Sequence, residues 1–442
     1  MSHVVIIGNG IAGITAARHI RKRSTDKITV ISGETDHFFS RTALMYIYMG
    51  HMKYENTKPY EDWFWDKNRI DLIRGWVSRI DFDQKSVYID GDAISYDKLI
   101  LATGSKSNKF GWPGQDLKGV QGLYSFQDLE TMEKNTEDID TAVVIGGGLI
   151  GIEMSEMLHS RGIPVVYLVR EKNFWDIVLT RNEGELIDRH ILEHDIDLRL
   201  STELDRILDD GNGRVKGVVT KEGETIDCQF VGLTVGVSPN VDFLRDTTLE
   251  IEKGILVNEY LETNLPDVYA IGDCAQVRDP KKDRRPVEPI WYTGRMMGET
   301  LALTLTDSRT AYDPGVWFNS AKFFDIEYQT YGRVWPTPKE DESHFFWKAD
   351  DGKKCVTIAF DNDNGSVKGV NTFGIRMRHE IWDRWIKEGV TVQYAVENLR
   401  KANFDPEFFK QHDPEIQAKF NQDFPEKQVN IRKKGLFESI FN

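Results

Sequence analysis

Cysteine is scarce. The 442 residues hold three, Cys228, Cys274 and Cys355, set far apart. No CxxC or CxxxxC pair occurs, so a disulfide framework, an iron–sulfur cluster and a zinc site built on cysteine all lack support. No metal site is expected. Long apolar runs are missing too. None reaches the roughly 20 residues that a helix needs to span a bilayer. The N-terminus, MSHVVIIGNG, enters a strand at once, with no charged leader or small-residue cleavage site, and a secretory signal is not expected. Basic residues are the minority, 56 against 71 acidic, for a formal charge of −15. No clustered basic face stands out. Nucleic-acid binding is not expected, and the acidic balance disfavours polyanions and anionic membranes. Low-complexity linkers are absent. A cytoplasmic protein of two or three domains fits these absences.

What is present begins with glycine. His3 to Ile7 is an apolar run. Gly8-Asn9-Gly10 turns, and Ile11, Ile14, Ala17 and Ile20 then recur at helical spacing before a second apolar run, Lys27 to Ser32. This is a βαβ unit, which implies a parallel sheet with a crossover helix. Gly8-x-Gly10-x-x-Gly13 sits at its first turn. Gly8 permits the turn, Gly10 lets backbone approach a pyrophosphate, and Gly13 lets helix and strand close together. The helix start at Ile11 and Ala12 offers unpaired amides and a partial positive charge to phosphates. Glu34, 21 residues after Gly13, is placed to hold a ribose diol.

The same unit recurs near residue 141. Ala142 to Ile145 leads into Gly146-x-Gly148-x-x-Gly151, with Leu149 and Ile150 opening the helix and Pro164 to Val169 as the next strand. Val169 stands where an acid would favour NAD. Arg170 and Glu171 follow. The arginine could pair with a 2′-phosphate and the glutamate with a free diol, and both residues also suit solvated strand-end charges. Two glycine motifs imply two bound dinucleotides. The acidic stretch Glu130 to Asp140 between the units reads as a helix end and loop. Beyond about Gly315 the pattern changes to alternating aromatic runs, His344 to Trp347 and Val356 to Phe360, with turn residues at Asp361 to Gly365. These predict an antiparallel C-terminal domain. Helices are expected at Met377 to Lys387 and Gln393 to Lys401.

These residues resemble the two-dinucleotide flavoproteins of the pyridine nucleotide–disulfide oxidoreductase superfamily, over roughly residues 3 to 315. Leu99 to Ser105, with Ala102-Thr103-Gly104, resembles the strand that returns the chain past the flavin. Thr234 to Asn240, containing Gly236, resembles the crossing back from the NAD domain. Asn264 to Asp273 resembles the strand ending in Gly272-Asp273, whose aspartate holds the FAD ribityl chain in the family. Asp273 also suits a helix N-cap. Trp291-x-x-Gly294-x-x-x-Gly298 resembles the helix that starts beside the flavin ring. The resemblance implies an α/β protein with two Rossmann-like domains plus an α+β C-terminal domain. FAD would bind residues 1–115 and 241–315, NADH or NADPH residues 116–240, and 316–442 would form an interface domain with a helical tail.

The redox cysteines of the superfamily are absent, and Phe38-Phe39-Ser40-Arg41 stands where one branch carries a reactive thiol. An arginine cannot be that nucleophile. Phe39 to Leu44 instead resembles the branch of rubredoxin reductase, ferredoxin reductases and the nitrite reductase flavin part. That branch implies Arg41 on the FAD phosphates and Glu153 beside the flavin. It also has a lysine partner for the glutamate, which this chain replaces within Met45-Tyr46. Tyr46 is expected in the lysine's place, and Glu153 also suits a polar residue at a domain seam. The resemblance implies hydride transfer from NAD(P)H to FAD and onward passage of electrons to a small redox protein such as rubredoxin or ferredoxin. A flavin oxidase or quinone reductase, and a nucleotide-sensing flavoprotein, remain alternatives, and a homodimer is left open. The end of the chain, Gly435 to Phe441, has an amphipathic pattern after three basic residues; it is expected to pack on the body, with a membrane-surface anchor as the alternative.

Overall fold

The structure is a computed structural model, and it describes residues 1–404 and 410–431. The amphipathic pattern at Gly435 to Phe441 lies outside the described residues. No helix among the described residues is long and apolar enough to cross a membrane. The chain divides into two compact units. One holds Met1–Arg170 with Thr202–Pro314, the other Glu171–Ser201 with the chain from Gly315 onward.

The first unit contains two parallel sheets. In one, the strand order is Val268–Ala270, Lys98–Leu101, His3–Ile7, Lys27–Ser32 and Ile70–Arg74. His3 pairs with Lys27 and Ile7 with Ile31. These strands are near-continuous apolar runs because both sheet faces are covered, as parallel sheets require. Helix Ile11–Arg23 packs against helix Trp291–Thr306. A Cβ on Gly298 would lie 2.6 Å from the Ala12 carbonyl oxygen, so glycine there sets the close approach of the two helices. The second sheet runs Val165–Leu168, Ala142–Ile145, Phe230–Leu233 and Val120–Gln121, again parallel. Helix Leu149–Ser160 follows its glycine turn. The two crossings between the sheets, Ser105–Ser107 and Val237–Pro239, pair antiparallel side by side.

The second unit is built on an antiparallel sheet ordered Phe318–Phe323, Ile326–Gly332, Val367–Phe373, Cys355–Asp361 and Glu342–Lys348. Helices His379–Glu388, Val392–Glu397 and Asp413–Asp423 cover it through Trp382, Trp385 and Phe420. The first of these helices ends at Gly389, whose φ of +63° forms a left-handed cap that other residues adopt at a cost. Residues 171–201, which the sequence pattern groups with 116–240, cluster here instead. The physical reason is local. Buried Glu183, on helix Arg181–Glu193, accepts hydrogen bonds from Thr357 Oγ1 and Asn371 Nδ2 of the sheet. Phe174 also meets Phe323 edge to face at 5.6 Å.

Candidate functional site

The first glycine turn opens a cavity of about 620 Å³ in the first unit. Gly8 has φ +115°, and a Cβ there would lie 2.1 Å from the Ala102 carbonyl oxygen, so the position excludes any side chain. Gly13 is equally crowded, 2.1 Å from the Gly8 carbonyl oxygen, and serves helix–strand closure rather than the cavity wall. Gly10 differs. A Cβ there meets nothing within 4 Å. The open space above Gly10 and the uncapped helix start at Ile11 and Ala12 form a cradle of the size and polarity that a pyrophosphate needs.

Around this cradle stand Glu34, Arg41, Ala102, Thr103, Gly104, Gly272, Asp273, Trp291, Leu149, Ile150 and Glu153, all expected from sequence. Glu34 and Arg41 form a bidentate ion pair, with Nη1 and Nη2 donating to Oε1 and Oε2 at 2.7 and 2.6 Å. Arg41 also donates to the Tyr124 carbonyl at 2.6 Å and lies over the Tyr124 ring. Burial opposes the guanidinium charge, but Glu34 more than offsets it and holds Arg41 above its ordinary pKa. Asp273 accepts from Ser105 Oγ and Tyr124 Oη, each at 3.1 Å. Burial pushes its carboxyl up, while those two hydrogen bonds work the other way.

Glu153 sits on helix Leu149–Ser160, one turn beyond Leu149. Burial, with a smaller repulsion from Glu156, pushes its carboxyl up to about 7. No ion-pair or hydrogen-bond partner faces it among the described residues. Tyr46 is corrected: it does not line the cavity. In the short helix Leu44–Tyr48, Met45 turns inward, and the 100° step to the next residue carries the Tyr46 ring away to stack on His51 at 6.2 Å. An apolar thioether therefore stands at the wall, and the ring of Tyr46 does not.

The second glycine turn repeats the geometry of the first. Gly146 has φ +120° and would press a Cβ 2.6 Å from the Thr234 carbonyl oxygen, Gly151 would press one 2.3 Å from the Gly146 carbonyl oxygen, and Gly148 is open. The helix that follows gives Leu149 and Ile150 to the first cavity's wall. Gly236 has φ +88° on the return crossing, and its carbonyl accepts from the Asn108 amide. Val169 is buried, Arg170 exposed and Glu171 half-buried, and none of the three lines the cavity.

Asn240, which ends the crossing read from sequence, also lines the wall, as do Tyr124, Trp76 and Phe243, which were not legible in the sequence. Each is a single residue on a connecting segment, with no periodicity to mark it. Only Tyr124 had a neighbouring signal, the Ser125/Asp128 capping box that starts the next helix. All three cysteines are buried and unpaired, and none lines the cavity. Burial pushes Cys228 up to about 12. Replacing all three with alanine is therefore expected to leave the reaction that the resemblance implies, flavin reduction by NAD(P)H, within about twofold in rate, measured by stopped flow. A loss of tenfold or more in a folded variant would restore thiol chemistry.

Comparison with known proteins agrees with this geometry. The family described as pyridine nucleotide-disulphide oxidoreductase matches residues 2–298. The chain is 32% identical over 325 residues to rhodocoxin reductase of Rhodococcus erythropolis, covering 72% of this chain and 76% of that protein. It is 31% identical over 280 residues to nitrite reductase [NAD(P)H] of Bacillus subtilis, covering 62% of this chain but only 34% of the larger enzyme. A solved NAD-dependent persulfide reductase from A. fulgidus shares the fold, with a TM-score of 0.84 at 23% identity over 96% of this chain and 83% of that one. The chain belongs to the pyridine nucleotide-disulphide oxidoreductase family, and it is an oxidoreductase of the flavoprotein type. Membership implies FAD and a nicotinamide nucleotide.

Proposed function

We propose that this chain takes electrons from NAD(P)H through FAD and delivers them to a small redox protein of the rubredoxin or ferredoxin kind. One observation carries the reading. The wall that holds the first glycine cradle also holds Leu149, Ile150 and Glu153 from the helix of the second. Two nucleotides bound at the two glycine turns would thus meet at one cavity. Gly8, Gly10, Ile11, Ala12 and Asp273 would hold FAD, with Glu34 on its ribose and Arg41 on its phosphates. Gly146, Gly148 and Gly151 would hold the nicotinamide nucleotide. The chemistry a bound FAD supplies is acceptance of a hydride and release of its electrons singly. The protein's own part is to orient the two nucleotides, to exclude water with Trp291 and Phe243, and to hold or release a proton at the Glu153 carboxyl.

Names of relatives support the acceptor, among them NADH-rubredoxin oxidoreductase of Clostridium acetobutylicum. The test compares turnover of NAD(P)H with rubredoxin, a [2Fe–2S] ferredoxin, a quinone and oxygen. At least tenfold faster turnover with one of the proteins is expected. Equal or faster turnover with oxygen or quinone would overturn the proposal.

For the nucleotide, the proposal is NADPH. Val169 removes the acid that would repel a 2′-phosphate, and Arg170 follows it exposed. A charge-assisted contact is worth roughly 1.5–3 kcal/mol, about ten- to a hundredfold in affinity. Arg170→Ala is expected to weaken NADPH by that factor and to leave NADH nearly unchanged, read from the concentration dependence of flavin reduction. A parent that prefers NADH, with a preference that only Glu171→Ala reduces, would assign the ribose to Glu171.

A further inference from the structure

The second unit carries a cluster that the oxidoreductase reading does not use. Helix Arg181–Glu193 ends at His194, and His190 and His194 lie one turn apart on the same face. Strand Phe318–Phe323 folds back into Ile326–Gly332 through a two-residue turn, Phe324-Asp325. Phe324 sits at φ +54°, a conformation rare for an aromatic residue, and its ring stacks on His194 with centroids 4.2 Å apart. That stack places Asp325 over the two imidazoles.

We propose that His190, His194 and Asp325 bind one divalent transition-metal ion, with zinc the best match, and that the ion clasps the helix to this turn. Among the described residues these three alone form such a group, with their ligating atoms all within 4.8 Å of one another. His194 Nδ1 hydrogen-bonds the His190 carbonyl at 2.8 Å, which makes Nδ1 the donor and turns the Nε2 lone pair toward Asp325. A backbone carbonyl on the far ring nitrogen is the usual way a metal-binding histidine is oriented. His190 is 2% exposed. Its Nε2 stands 2.6 Å from Asp325 Oδ1, yet neither ring nitrogen completes a hydrogen bond of good geometry. The imidazole nitrogen and the carboxylate oxygen thus face each other off the line of a hydrogen bond, and a cation between them would be bound by both.

The spacing needs little adjustment. Bonds of about 2.0–2.2 Å in a tetrahedral site set ligand atoms about 3.3 Å apart. His190 Nε2 to Asp325 Oδ1 is 2.6 Å and His194 Nε2 to the same oxygen is 3.9 Å, so one contact opens and the other closes by under 1 Å. Lys353 lies on the other carboxylate oxygen, Oδ2, at 3.4 Å, and leaves Oδ1 for the ion. The Glu193 carboxylate, 3.7 Å from His190 Nδ1, adds negative charge behind the ring. Two nitrogens and one oxygen suit zinc rather than magnesium or calcium, and water completes the set.

The test uses the full chain without a polyhistidine tag, stripped with a chelator and titrated with zinc chloride in a calorimeter. One ion per chain with a micromolar or tighter Kd is expected. His194→Ala and Asp325→Ala should each weaken binding at least tenfold, while His159→Ala, an exposed histidine on another helix, should leave it unchanged. Zinc should also raise the thermal midpoint by several degrees in the parent and not in His194→Ala. His194 is half-buried, so its alanine variant keeps the test valid if His190→Ala fails to fold. Absence of saturable binding, unaltered binding in His194→Ala, or equal loss in His159→Ala would each overturn the proposal.

Discussion

Gly10→Leu is expected to give a folded, colourless protein. Gly10 takes an ordinary φ of −69°, so leucine introduces no backbone strain there. Its Cβ would meet nothing within 4 Å, so no protein atom is displaced either. What leucine fills is the space above the helix start, where backbone must come within hydrogen-bonding distance of a pyrophosphate. Retained flavin per chain, read from the absorbance ratio after desalting, should fall at least about a hundredfold in effective affinity, because a rigid cradle cannot yield to the added volume. Circular dichroism and denaturant midpoint should stay near those of the parent. Gly8→Ala makes the opposite case. There the Cβ would lie 2.1 Å from the Ala102 carbonyl oxygen at φ +115°, and the loss should fall first on folding, by roughly 2–4 kcal/mol. If Gly10→Leu keeps a full complement of FAD, the turn has another role.

The contrast between these two glycines also shows what sequence can and cannot carry. Spacing alone placed both turns, both crossover helices and the parallel sheets, because a βαβ unit has one stable handedness and a glycine pattern fixed by sterics. The return crossings at Ser105–Ser107 and Val237–Pro239 were legible only by resemblance, since nothing local in three-residue strands marks them. Arg41 and Glu34 were each assigned to a ligand, yet the six residues between them bring the two into one ion pair, and loop conformation leaves no periodic trace. Tyr46 failed for a helical reason, a rotation of one residue within a five-residue helix. Residues 171–201 were grouped by chain order with the second glycine motif. The buried Glu183 that ties them to the antiparallel sheet finds its partners more than 170 positions later. His190, His194 and Asp325 were not singled out in the sequence, because Asp325 lies more than 130 positions after the helix that carries the two histidines.

Glu153→Gln should remove a titration from the site. The parent carboxyl is pushed from 4.5 to about 7, first by burial and then by Glu156, and Met45 lines the same wall. In the unfolded chain the same carboxyl loses its proton near 4.5. Between these values the folded state binds more protons, so stability falls as pH rises from about 4.5 to about 7, and the full penalty applies above 7. The gap between the two values would amount to at most about 3.4 kcal/mol, and contact with the open cavity reduces it to about 1–2 kcal/mol. Glutamine carries no such penalty. The variant should therefore match the parent near pH 5 and exceed it by about 1–2 kcal/mol at pH 8.5 in urea unfolding. The same proton should show in function. Flavin reduction by NAD(P)H in the parent is expected to change by about tenfold across an inflection near pH 7, as for a carboxyl poised at its working pH, and to run flat in Glu153→Gln. A variant that keeps the parent's inflection would assign the titration to another group. A stability gain as large at pH 5 as at pH 8.5 would mean that packing, not charge, sets the effect of the glutamate.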